Sequence, residues 1–196
     1  MHTAKHVLKI VAALAVVGLT ACAQSPQKVT LKPQLPPATE TIASGQPLHV
    51  RVSDRRASKV LGSRGGTYRD SSVISLGNDL SDAVTTALKT KMKQMGFEVD
   101  SLNPDTIDLH VIFESLVYNH PAEDGVGHDM DMRAAVKVEA SKTGKRYEGN
   151  YRVKRKEKFF NAPSEPHNEK LVNELVVEVL ENMLADAKLR AFLQSK

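Results

Sequence analysis

Between Ile107 and Phe160 the chain reads as three strands in series, separated by a polar loop at 119–128 and a turn at 141–145, and this narrows the possible folds more than any other feature. Leu109, Val111, Phe113 and Leu116 mark a strand over Ile107–Tyr118. Met130, Met132, Ala134, Val136 and Val138 share one face of a second over Met130–Ala140. After a hairpin turn at Ser141–Lys145, which contains Gly144, the chain returns as a third strand over Arg146–Phe160. A sheet with one apolar face must bury it beneath a second layer. Two helices can form that layer. Leu80, Val84, Ala87, Leu88, Met92 and Met95 recur at three- and four-residue intervals, which predicts a helix over Asn78–Met95 with Asn78 as its cap, Asp79 at the positive end of its dipole and Gly96 beyond its end. Leu171, Leu175, Val176, Val179, Met183, Ala187 and Leu193 predict a closing helix over Ser164–Leu193. Shorter strands are expected at Leu48–Val52, Lys59–Gly62, Ser72–Leu76 and Phe97–Val99. The expected fold is α+β: a mixed, largely antiparallel sheet with two helices packed on one face, in one domain, as the 196-residue length suggests.

The first residues do not belong to that fold. Lys5 and Lys9 precede an apolar run over Ile10–Leu19, the length of a secretory core and too short for a bilayer, which takes about 20 apolar residues. Leu19-Thr20-Ala21-Cys22 follows and resembles the bacterial lipobox, in which the cysteine is lipidated and becomes the mature amino end. Cys22 is the only cysteine, so no disulfide competes for it. An ordinary signal peptide cut beside an incidental Cys22 is the plainer reading of the same segment. The organisation expected is a lipoprotein signal peptide at 1–21, a lipidated Cys22 with a Pro-rich tether at 22–47, and an α+β domain at 48–196. Pro33, Pro36 and Pro37 favour extended chain in the tether. Ala23 after the cysteine favours the outer membrane, facing the periplasm, over the inner one by resemblance to enterobacterial lipoproteins.

Charge excludes one class of partner. Loss of Lys5 and Lys9 with the signal lowers the net charge from +4 to about +2, leaving no concentrated nucleic-acid footprint. Chemistry-bearing clusters are few. His120, Glu123, Asp124, His128, Asp129 and Asp131 fall in one loop, but their spacing fits neither a structural zinc nor a calcium pattern, and a solvated loop is the expectation. Asp54, Arg55 and Arg56, with Arg64-Gly65-Gly66, offer a weak anion cradle. Arg152, Lys154, Lys156 and Lys158 alternate along the last strand and therefore share a face, as a candidate interaction surface for an anionic contact or as protection of a sheet edge. No nucleophile elbow, phosphate loop or dinucleotide fingerprint is present, so no catalytic residue, metal ligand or cofactor site is assigned.

The lipobox ending at Cys22, the Pro-rich segment, Asp54-x-Arg56, the helix from Asp79-Leu80 through Leu88, Met92 and Gly96, Asn150-Tyr151-Arg152, and the closing helix down to Phe192 together resemble the YajG family of bacterial lipoproteins over nearly the whole chain. The acidic loop at 119–131 and the basic stretch at 152–158 depart from it. The resemblance implies an envelope lipoprotein with no established catalytic residues. Its strand-helix-strand plan also looks like that of accessory lipoproteins that activate peptidoglycan synthases or serve lipid transporters, a likeness of fold alone. The expected function is a non-enzymatic, membrane-anchored domain that binds another envelope component, with a lipid- or glycan-binding module as the alternative.

Overall fold

The computed structural model describes residues 25–64, 70–101, 103–119, 128–159 and 163–195. The sheet is built around its three longest strands. β6 (Ile107–Asn119), β7 (His128–Lys142) and β8 (Lys145–Phe159) run antiparallel in series. On its other side β6 is shared by two strands in succession. β2 (Pro47–Asp54) runs parallel to it from Leu48↔Ile107 to Asp54↔Phe113, and β3 (Val60–Ser63) meets it at Gly62↔Tyr118. β4 (Val73–Leu76) pairs antiparallel with β3, β1 (Gln27–Val29) parallel with β4, and β5 (Glu98–Val99) parallel with β2, completing eight strands among the described residues. Gly62 is required at the β3–β6 meeting point, because a Cβ there would lie 1.5 Å from the Tyr118 carbonyl oxygen.

Three helices, α1 (Leu80–Gln94), α2 (Glu165–Leu184) and α3 (Ala187–Gln194), complete the described elements. The mixed α+β class expected of the sequence is the class observed. On β7 the even-numbered positions from Met130 to Ala140 are buried, as are Leu109, Val111 and Phe113 on β6 and Val84, Leu88 and Met92 on α1. Burial of each of these side chains larger than alanine contributes about 1.5–3 kcal/mol. This one-sided core is the consequence of the two-residue period.

Three local expectations are corrected. Asn78 does not cap α1. Asp79 does, accepting a hydrogen bond from the Asp82 N–H at 2.9 Å, while Asn78 exchanges two 2.8 Å hydrogen bonds with the backbone of Leu31. The closing helix is broken at Ala185–Asp186, because Asp186 turns its carboxylate onto the N–H groups of Lys188 and Leu189 and restarts the helix as α3. Two helices on the sheet thus become three.

The third correction concerns 22–47, where the prolines predict a semi-rigid tether holding the domain away from the lipid. From Gln27 the chain is extended but docked. β1 joins the sheet, and Val29, Leu31 and Ala43 are buried. Proline withdraws backbone donors, and neighbouring side chains satisfy what remains. Asn173 Oδ1 accepts from Lys32 N–H at 2.6 Å, Lys91 Nζ donates to the Pro36 carbonyl at 2.6 Å, and Gln94 accepts from Ala38 N–H at 3.1 Å. At the end of this strap Gly96 has φ +94°, and a Cβ there would sit 2.3 Å from the Ala43 carbonyl oxygen. Its place as the left-handed residue after α1 is as the sequence predicts. Residues 1–24, with the expected signal peptide and Cys22, lie outside the described residues.

Candidate functional site

Because side chains alternate along strands, residues pointing away from the core form a second surface. β2 supplies Arg51 and Ser53, β6 supplies Asp108 and His110, β7 supplies Lys137 and Glu139, and β8 supplies Arg146 and Glu148. All but Ser53 and Lys137 line a polar groove of about 320 Å³ near the start of β6, and those two contact its lining residues His110 and Glu139. Arg51 forms a two-pronged ion pair with Asp108, Nε to Oδ1 at 3.1 Å and Nη2 to Oδ2 at 2.7 Å. The hydrogen bond from Arg51 is the main reason the Asp108 carboxyl is held below its ordinary range.

His110 is the buried member of the groove. Ser53 Oγ lies 2.8 Å from its Nε2, and Glu139 Oε2 lies 3.9 Å from its Nδ1. Burial is the first cause that lowers the histidine pKa, and the charge of Arg51 adds to it. The order Ser53, His110, Glu139 is that of a nucleophile, base and orienting acid, but the last link is too long for a hydrogen bond. Glu139 is instead held by Lys137 at 2.7 Å. Ser53 sits inside a paired strand opposite Ile112, without the sharp strand-to-helix turn that presents a serine nucleophile. The arrangement is a buried histidine anchored to a serine, flanked by paired charges. Fifty-seven positions separate Ser53 from His110, so spacing along the chain carried no sign of the pair.

The cationic row lies on this same surface, toward the other end of the sheet. Arg152, Lys154, Lys156 and Lys158 are all exposed and share the outer face. Lys154 stands opposite Arg133, Lys156 opposite Asp131 and Lys158 opposite Asp129. The two carboxylates are 3.7 Å from their lysines, which remain 86% and 70% exposed. Arg155, inside the same basic stretch, points the other way. It donates to Glu174 at 3.0 Å and Glu178 at 2.9 Å, and so ties β8 to α2.

The remaining candidates resolve differently. Arg56 is committed to Asp54 through two 2.8 Å hydrogen bonds, with Lys59 a further 2.6 Å contact. These bonds, from Arg56 foremost, hold the Asp54 carboxyl well below the usual range. Asp54-x-Arg56 is therefore a strand-end clasp, and Arg55 lies exposed beside it. Gly65 and Gly66 fall outside the described residues, as does the loop stretch 120–127 with His120, Glu123 and Asp124. No metal-holding group of three His, Cys, Asp or Glu occurs among the described residues. No helix among them is long and apolar enough to cross a membrane. A second, open groove of about 400 Å³ runs between the strap and α1, with Leu31, Pro33 and Leu35 on one wall and Ala87, Thr90 and Gln94 on the other.

Two solved structures share the fold. One, described as an uncharacterized protein, has a TM-score of 0.50 and 12% identity, covering 80% of this chain and 97% of its own. The other, a Xanthomonas campestris protein of the DUF330 family, has a TM-score of 0.54 and 10% identity, covering 86% of this chain and 98% of its own. At these identities the likeness is one of fold. No curated protein matches the sequence. The family profile described as "Uncharacterized lipoprotein" matches residues 33–194, which takes in the strap from Pro33, the whole sheet from β2 onward and all three helices. By that match the chain belongs to the uncharacterised lipoproteins of the YajG family.

Proposed function

We infer that this lipoprotein is a non-enzymatic interaction domain, anchored through Cys22, facing the periplasm from the outer membrane, and binding a protein of the envelope through the open face of its sheet. The observation that carries the reading is the asymmetry of that sheet. The buried alternate residues of β6 and β7 face the core, and the outer residues of β2, β6, β7 and β8 form a mostly polar surface with a groove, interrupted by Ile112, Val117 and Ala135. Its ion pairs offer both signs of charge in fixed places, which favours selection of a partner over bulk attraction. The 3.9 Å gap between His110 and Glu139 supports a binding role over acyl transfer.

Crosslinking in living cells tests this, with the native chain compared against Cys22→Ala and against Arg51→Glu. One recurrent envelope protein is expected with the native chain, lost with Cys22→Ala and depleted with Arg51→Glu. Failure to enrich any envelope protein overturns the reading. The groove between strap and α1 favours a second reading, a lipid- or glycan-binding module. Lipid or glycan extracted from the purified protein in stoichiometric amount would replace the first reading with that one.

A further inference from the structure

We propose that the cationic row of β8 is a contact surface for anionic lipid headgroups in the very membrane that holds the anchor, and that it sets the tilt of the domain on that membrane. The proposal rests on anchoring through Cys22 and goes beyond it.

Chain geometry comes first. Gln27, the first residue of β1, is buried, and its Oε1 accepts a hydrogen bond from Asn168 Nδ2 at 2.7 Å. Asn168 belongs to the opening of α2, and its Oδ1 accepts from the hydroxyl of Tyr118 near the end of β6. One residue before Asn168, His167 meets the ring of Phe159, the last residue of β8, edge-on at 5.2 Å. The entry of the chain, the end of β6, the start of α2 and the end of β8 therefore lie together at one end of the domain. Cys22 precedes Gln27 by five residues. Five residues reach at most about 18 Å even when fully extended. The lipid surface consequently lies close to this end of the domain, and Lys158 and Lys156 stand immediately before Phe159.

Charge comes second. Around the row, Arg133, Arg152, Lys154, Lys156 and Lys158 make only two ion pairs among the described residues, Lys156 with Asp131 and Lys158 with Asp129, each at 3.7 Å. The groove at the far end of the face is different, since Arg51 and Lys137 each hold a carboxylate at 2.7 Å. The end nearest the lipid thus has cations to spare, and the far end has its charges matched. A second copy is a poor occupant of the row. Antiparallel pairing along β8 sets Arg152 against Arg152, or Lys154 against Lys156, and like charges opposite one another are repelled. Headgroup phosphates are mobile, negative and dense at a membrane surface, and act within a Debye length of it. Since acyl chains suffice for attachment, the row adds orientation: it draws the open face down at its basic end and leaves the His110 groove directed away from the bilayer.

Amine footprinting of the mature acylated chain tests this, in vesicles of phosphatidylcholine alone and in vesicles containing phosphatidylglycerol. Acetylation of Lys154, Lys156 and Lys158 should slow several-fold in the phosphatidylglycerol vesicles and recover at high salt, while exposed Lys93 on α1 reacts equally in both. Arg152→Gln with Lys156→Gln should restore the rate at Lys154 without loss of acylation or folding. Equal reactivity of the row in both vesicles overturns the proposal. Protection in both vesicles overturns its anionic chemistry, and protection appearing only when an acidic protein is added reassigns the row to that protein. The mass of the lipid on Cys22, read from the same sample, separates the two levels. An unlipidated chain brings down the anchored reading itself, whereas a lipidated chain with a freely reactive row brings down this proposal alone.

Discussion

The inner and outer faces of β7 are made from the same fifteen residues, yet they answer to different physics. Met130, Met132, Ala134, Val136, Val138 and Ala140 are buried and could be exchanged for other apolar side chains of like volume. Asp129, Asp131, Arg133, Lys137 and Glu139 alternate with them on the other side, where identity and sign matter and volume does not. The inner face determines whether there is a domain, and the outer face carries its fixed charges toward solvent. A single strand can carry both because adjacent side chains scarcely share neighbours. Disturbance of one face should therefore leave the other nearly intact.

The severest test of that division is Leu88→Asp, at a fully buried α1 position on the inner side. An uncompensated buried charge costs several kcal/mol, and loss of the cooperative thermal transition in circular dichroism is the expected outcome. A folded variant would break the comparison. Next comes Asn168→Leu, which removes the buried link between Gln27 and Tyr118. Leaving those partners unsatisfied should cost about 1–3 kcal/mol, seen as a lower urea midpoint at unchanged slope.

A smaller effect sharpens the comparison through pH. The folded state holds His110 below its ordinary pKa of 6.5. The unfolded chain therefore takes up the proton first, and the stability supplied by the neutral ring is present above about pH 6.5 and is lost as pH falls toward the folded value. Ser53, Arg51, Arg55, Asp108 and Glu139 are the groups that face or influence the ring. Melting temperatures between pH 7.5 and 5.5 should fall more steeply for the native chain than for His110→Gln, and parallel curves would remove the histidine from the account. The smallest effect belongs to Arg152, Lys154, Lys156 and Lys158. Their joint replacement by Gln should change stability by only about 0.5 kcal/mol, since exposed ion pairs add little, and the urea midpoint measures it.

Much of the inner face was legible in the sequence because it is periodic. Ile107–Tyr118 became Ile107–Asn119, and Leu80 through Met92 point inward as their spacing requires. What escaped reading depends on residues remote from one another. Ser53 and His110 meet only through the β2–β6 pairing, and Asn78 leaves its capping role because Leu31 needs a partner. Some signals were present and masked. Val29, Leu31 and Pro33 recur at the strand period in a segment where proline suggested a tether, and all are buried. Asp186, which breaks the closing helix, is a common capping residue lying inside an otherwise continuous helical pattern. The outer row was legible as a face, since alternation fixes it, but Arg155 shows that a basic stretch is not a single basic surface.

The docked strap has a consequence for the order of assembly. Thr30 and Lys32 bond to Glu169 and Asn173, 139 and 141 positions further on. Contacts that distant in the chain form late, since a long loop must close before they stabilise anything. In a polypeptide that emerges amino end first, the earliest strand to be made is thus among the last to settle. Until α2 is complete β1 has no floor, and the inner face of β7 and β8 stays uncovered. Whatever keeps the nascent chain from aggregating must act across nearly its entire synthesis.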